Sequence, residues 1–190
     1  MSDDVPRFRA LVALGANSGG PGEPERVVRA AMESISELLD AEVEASALYA
    51  SPAFPVGSGP DFVNAACLCR TTLPPEAVLA ALHEAEAEAG RVRDVRWGPR
   101  TLDLDLIAWE DRVLPDPEGQ RRWRELGLDR QMREAPGELI LPHPRMQDRA
   151  FVLVPLAEVA PEWRHPLLGR TVREMRDALP EEALREVTPL

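Results

Sequence analysis

Apolar and polar positions along the chain change period several times, and each change marks an element. Phe8 to Gly15 is a short apolar run closed by glycine, which predicts a buried first strand. A Gly/Ser/Pro-rich turn, Ser18 to Pro24, follows. Val27, Val28, Met32, Ile35, Leu38 and Leu39 then recur at helical spacing, with Glu23 and Glu25 where a helix N-terminus favours negative charge. Residues 42 to 50 predict a second strand, ended by Ser51-Pro52 and the turn-rich stretch Phe54 to Pro60. Phe62 to Thr71 reads as a strand. Pro74 and Pro75 open a second helix with Val78, Leu79 and Leu82 on its apolar face and Gly90 as its stop.

Beyond the loop Arg91 to Arg100, the run Thr101-Leu102-Asp103-Leu104-Asp105-Leu106 alternates as a half-buried strand should. The order β-α-β-β-α-β results. It predicts an α+β, ferredoxin-like domain: an antiparallel sheet with both helices on one face, preferred to a doubly wound sheet. Residues 115 to 137 carry little periodicity and read as an inserted surface excursion with one short helix. After it, Val152, Leu153, Val154, Leu156 and Val159 mark a packed helix or turn, and Thr171 to Leu179 a last short helix.

Composition narrows the class. At 190 residues, 44% hydrophobic and 29% charged, the chain fits one globular domain, 1–190, with a real core. Its net charge of −11 opposes a phosphate-neutralising nucleic-acid surface. All 22 basic residues are arginine, so a phosphate-loop lysine and Schiff-base chemistry are excluded and phosphate must be handled by arginine. Cys67 and Cys69, one residue apart in an apolar run, would share a strand face and not bond to each other. Reduced thiols, a start with no long apolar segment and no bilayer-length apolar run lead us to expect a soluble, cytoplasmic protein.

Three clusters carry candidate chemistry. Asp103 and Asp105, two apart on a strand, leave one face with origins about 6.6 Å apart and can converge on magnesium, which takes one or two carboxylates and completes its shell with water and phosphate. Solvated aspartates on an exposed strand are the plainer reading. Against it, aspartate is a poor strand former, and two of them in an apolar strand need a compensating ligand. Immediately upstream, Arg91, Arg93, Arg96 and Arg100 face a single acid, Asp94, a local charge of +3 in an acidic protein. Arginine forks suit phosphate oxygens and the charge that develops during phosphoryl transfer; a solvated basic loop is the alternative. Trp97, in Trp97-Gly98-Pro99, can cover a planar ligand or anchor the core. His143 sits between prolines, with Arg149 six residues on, and is either a phosphate donor or an exposed histidine in a rigid turn. His83 and His165 are given no chemistry.

These residues together resemble the 6-hydroxymethyl-7,8-dihydropterin pyrophosphokinases of the folate pathway, from about Ala10 to Leu168. The most specific stretch is Arg91-Val92-Arg93 with Arg96-Trp97-Gly98-Pro99-Arg100-Thr101-Leu102-Asp103-Leu104-Asp105. Leu14-Gly15-Ala16-Asn17, Tyr49-Ala50-Ser51-Pro52, Asp61 to Ala66 and Pro142-His143-Pro144 with Arg149 and Phe151 support it. The resemblance implies a ferredoxin-like fold and transfer of the β,γ-pyrophosphate of MgATP to the pterin hydroxymethyl group, releasing AMP. It implies two magnesium ions on Asp103 and Asp105. Arg91 and Arg100 would assist transfer; Glu86, Arg93, Trp97, His143 and Arg149 would meet the nucleotide. Ser51, Pro52, Phe54, Phe62, Asn64 and Phe151 would form the pterin pocket, the ring stacked between Phe62 and Phe151. Phe62 stands where the family has a tyrosine, the arginine loop is one residue shorter, and 115–137 is an insertion. A monomer is expected, with the insertion as a candidate contact with other folate-pathway enzymes and neither nucleic acid nor membrane as partner. Two other readings stay open on the residues alone: a magnesium-dependent phosphoryl or nucleotidyl transferase acting on another alcohol, and an RNA-binding module of the same fold.

Overall fold

The longest apolar runs, β1 (Phe8–Ala16) and β4 (Phe62–Thr71), pair antiparallel at the centre of the sheet, from Phe8 opposite Thr71 to Ala16 opposite Val63. The computed structural model describes residues 5–53, 59–89, 101–127, 130 and 133–190. Flanking the central pair are β5 (Asp103–Trp109) on β1, and β2 (Ala41–Ala45) and β3 (Tyr49–Ser51) along successive halves of β4. A short β6 (Thr188–Pro189) extends the edge beyond β3. Every pairing is antiparallel, and the order β5-β1-β4-β3-β6 with β2 on β4 is that of the expected ferredoxin-like sheet.

The predicted strand over 42–50 is two strands. Ser46 interrupts it: its hydroxyl accepts the Ala66 N–H at 2.9 Å, where a backbone carbonyl would serve in a continuous ladder, while its own N–H donates to the Ala66 carbonyl at 2.9 Å. The chain then turns Leu48 into the core.

Helices α1 (Glu23–Leu38) and α2 (Pro75–Glu88) cover one face, as expected, packing Val28, Ile35, Val78 and Leu82 on Val12, Leu14, Cys67, Cys69, Leu104 and Leu106. The two cysteines do share that face, unbonded, and burial pushes both thiols up to about 12. The opposite face is covered too. There α4 (Ala150–Val159) and α5 (Val172–Asp177) pack Val152, Leu153, Leu156, Val172 and Met175 on Leu11, Ala66, Leu68 and Ile107. The predicted last helix over 171–179 is α5, started by a capping box between Thr171 and Glu174, and a further helix α6 (Glu181–Arg185) leads into β6. The insertion holds α3 (Pro117–Arg124), its N-terminus capped by the Asp116 carboxylate. No described helix is long and apolar enough to cross a membrane.

The pairing of β1 with β5 is irregular at one point. Leu11 lies opposite Ala108 but Val12 opposite Leu106, so Ile107 is the extra residue of a β-bulge and joins the core of the α4 face.

Candidate active site

Strand alternation settles where the two aspartates go. Leu104 and Leu106 are buried under α2, so Asp103 and Asp105 emerge half-buried on the face that α4 covers further along. Across the sheet Asp103 lies opposite Gly15, Gly15 opposite Asn64, and Asn64 opposite Tyr49; Asp105 lies opposite Ala13. Cross-strand partners share a face, so a carboxylate, a glycine floor and a buried amide form one row, with Asp103 and Asn64 about 10 Å apart, two strand spacings. A side chain at Gly15 would lie in that row, its Cβ 3.5 Å from Asn64 Oδ1 and 3.7 Å from Phe62 Cδ1.

At the far end of the row, Asn64 is 4% exposed and its amide donates to Ser51 Oγ at 2.9 Å. Ser51 is buried at the end of β3, and Pro52, next to it, is half-buried. Phe62, two residues before Asn64, shares its face, and Phe151 lies in the first turn of α4, 36% exposed. The Phe62 ring therefore flanks the Asn64 side of the row. Asn17, buried just past the end of β1, donates to the Pro60 carbonyl at 3.1 Å and ties β1 to the residues that lead into β4.

At the aspartate end stand His143 and Arg149. The His143 N–H donates to the carbonyl of Ile107 at 2.7 Å, so the bulge residue provides the anchor. The Arg145 N–H donates to Nδ1 at 3.2 Å, which leaves the proton of the neutral ring on Nε2. Burial, reinforced by Arg149 and opposed by Asp103, pushes the imidazole down to about 3, so the neutral donor persists at physiological pH. The histidine is half-buried rather than exposed. The Arg149 guanidinium lies 5.7 Å from the centroid of the Phe151 ring, a cation–π contact at the start of α4.

Glu86 is 1% exposed, and its Oε1 accepts the Leu104 N–H at 2.8 Å. One of its oxygens is thus committed to the backbone between the aspartates. The structure brings together Ser51, Pro52, Phe62, Asn64, Glu86, Asp103, Asp105, His143, Arg149 and Phe151 around this end of the sheet. Phe54, Arg91, Arg93, Trp97 and Arg100 lie outside the described residues. Sequence reasoning missed the contributions of Gly15, Asn17 and the Ile107 carbonyl as site-builders; the only local signal was the Leu14-Gly15-Ala16-Asn17 run that ends β1.

Among the described residues no three His, Cys, Asp or Glu side chains converge as a complete metal cage. Two half-buried carboxylates on one face are the hard-oxygen set that magnesium uses when phosphates and water complete its shell.

The sequence profile of the family 7,8-dihydro-6-hydroxymethylpterin-pyrophosphokinase (HPPK) matches residues 11–161. The chain is 38% identical, over 94% of its length and 96% of the relative's, to the 2-amino-4-hydroxy-6-hydroxymethyldihydropteridine pyrophosphokinase of Pseudomonas aeruginosa. It is 36% identical to the protein of the same name from Synechocystis, covering 95% of this chain and 80% of that one. Wild-type HPPK-DHPS of Plasmodium falciparum is similar in fold, with a TM-score of 0.62 at 14% identity over 93% of this chain. This chain spans 45% of that longer one.

Proposed function

Because the chain belongs to the 7,8-dihydro-6-hydroxymethylpterin-pyrophosphokinase family, we propose that the row Asp103, Gly15, Asn64 is where it joins its two substrates. The enzyme transfers pyrophosphate from ATP to the hydroxymethyl group of 6-hydroxymethyl-7,8-dihydropterin, a step of folate biosynthesis. The transferase of another alcohol and the RNA-reading module find no support among these relatives.

The observation that carries the site assignment is the placement of a carboxylate pair and a buried amide on one face, with glycine between them. Asn64 and Ser51 read the pterin edge; Phe62 and Phe151, with Pro52 and Phe54, hold its ring by stacking and apolar contact. Asp103 and Asp105 would hold two magnesium ions. When bound, magnesium offsets phosphate charge and polarises the transferring group. His143 donates from Nε2 to a phosphate oxygen, and Arg149, aligned by Phe151, supplies a fixed cation. Arg91, Arg93 and Arg100 add charge, Trp97 covers the nucleotide, and Glu86 holds the Leu104 backbone. The hydroxymethyl oxygen bonds the β-phosphorus of ATP, the α,β-bridging bond breaks, AMP leaves, and the hydroxyl proton is released. We read residues 1–190 as one catalytic domain, a cytoplasmic monomer whose insertion offers a surface to other enzymes of the folate pathway.

The deciding assay supplies MgATP with 6-hydroxymethyl-7,8-dihydropterin and scores AMP. AMP formation that needs the pterin and stops with EDTA is expected, and Asp105→Ala should lower turnover by at least about 1,000-fold with stability unchanged within about 1 kcal/mol. Unchanged turnover in Asp105→Ala would sink the metal assignment.

A further inference from the structure

Helix α3 (Pro117–Arg124), within the insertion, is mostly polar, with Trp123 its one large apolar side chain, yet Gln120 is 0% exposed. A fully buried amide in such a helix requires partners, because desolvating it without hydrogen bonds is costly. Both ends have one. Gln120 Nε2 donates to the Pro142 carbonyl at 3.0 Å, and Gln120 Oε1 accepts from Arg124 Nη1 at 3.2 Å.

Pro142 immediately precedes His143. Backbone bonds fix the residues on either side: Leu141 exchanges two hydrogen bonds with Leu114, at 2.9 and 3.1 Å, and His143 N–H reaches the Ile107 carbonyl at 2.7 Å. Pro142 has no N–H of its own, so its carbonyl is the remaining backbone handle between these two anchors. The Pro142–His143 peptide plane sets the direction in which the His143 side chain leaves the backbone, and Gln120 holds that plane through its oxygen.

We propose that Gln120 is a positioning residue for His143, through which the inserted helix aims the Nε2–H donor at the nucleotide phosphates. The insertion is then a part of the nucleotide site on its inner side, whatever its outer face contacts. Local bonds make the helix a firm support for that amide. Asp116 caps it by accepting the Glu118 and Gly119 N–H groups at 2.9 and 2.8 Å, and Arg124, four residues after Gln120, orients the amide. This inference rests on the reading that His143 contacts the nucleotide.

The test is steady-state kinetics of Gln120→Leu, His143→Ala and the double variant, with thermal unfolding of each. Gln120→Leu should raise KM for ATP about tenfold, the size of one hydrogen bond's directional loss, with KM for the pterin unchanged and kcat within about twofold. In the double variant KM for ATP should be no higher than in His143→Ala alone, since the two substitutions remove one interaction. Multiplicative effects in the double variant, or a parallel rise in KM for the pterin, would overturn the positioning role and leave a merely structural one. An unchanged KM for ATP in His143→Ala would instead overturn the nucleotide contact, and the proposal with it. If Gln120→Leu does not fold, Arg124→Met removes only the outer hydrogen bond; a rise of about threefold in KM for ATP, absent on the His143→Ala background, is expected, and no rise overturns the proposal.

Discussion

The carboxylate of Glu86 accepts the backbone N–H of Leu104 at 2.8 Å, fixing the residue that separates Asp103 from Asp105. With Glu86 only 1% exposed, this bond lies out of water, and removing the acceptor leaves a buried donor unpaired. Glu86→Ala should therefore cost about 2 to 4 kcal/mol in urea unfolding, counting the space it opens, and lower turnover with it. Glu86→Gln, which keeps an acceptor, should recover more than half of the lost stability. Wild-type stability in Glu86→Ala would show that Leu104 does not depend on this contact.

Gly15 separates a requirement of binding from one of folding. A methyl group there meets Asn64 and Phe62 at ordinary contact distances, 3.5 and 3.7 Å, so Gly15→Ala should fold with stability within about 1 kcal/mol of the parent. The methyl nevertheless stands in the floor between Asp103 and Asn64. KM for the pterin should rise at least about fivefold while KM for ATP moves less than about twofold. Equal effects on both substrates would place the pterin elsewhere.

Tyr49 is the one tyrosine in the chain, so absorbance near 295 nm reports its ionisation alone. Burial, then the hydrogen bond from its hydroxyl to Glu158, pushes its pKa up to about 12. The phenol should therefore remain protonated in the folded protein at pH 10.5, and Glu158→Gln should move the midpoint down. A folded pKa above the unfolded value of about 10 means this group's contribution to stability is complete below pH 10 and lost as pH rises towards 12. Half-ionisation at pH 10 in the folded protein would contradict this pairing.

His165 gives the acid counterpart. It is 0% exposed, its Nδ1 accepts the Leu167 and Leu168 N–H groups, each at 3.2 Å, and burial, with Arg124 nearby, pushes it down to about 4. Between pH 6.5 and about 4 the unfolded chain binds a proton there that the folded one refuses, so stability falls as pH falls, by at most about 1.4 kcal/mol per pH unit for this group. Urea midpoints at pH 7 and pH 5 should differ in that direction, and less so in His165→Leu. A flat profile would mean the imidazole takes its proton inside the fold.

The first strand, both helices of the α1/α2 face and the alternation of Asp103 and Asp105 could be read directly, because each depends on side chains a few positions apart. Periodicity is a local property, and burial imposes it locally. The split of 42–50 could not be read that way, since it depends on Ser46 meeting Ala66 across the sheet, twenty residues along the chain. Nor could the bulge at Ile107, whose carbonyl holds His143: one extra residue in a ladder is visible only against its partner strand. Gln120 lay in a segment that looked like surface excursion because its neighbours are polar, and a single inward amide leaves no period.

The linear order of residues was enough for the family, the β-α-β-β-α-β frame and the residue types that can meet magnesium, phosphate and a flat heterocycle. Which of these stand in one row, Asp103 across from Gly15 and Gly15 across from Asn64, was set by strand register. Folding likewise set the protonation of His143, which burial and the Arg145 N–H settle as a neutral Nε2 donor. Register and burial are sums over contacts between distant parts of the chain, and they exist only once the sheet has closed.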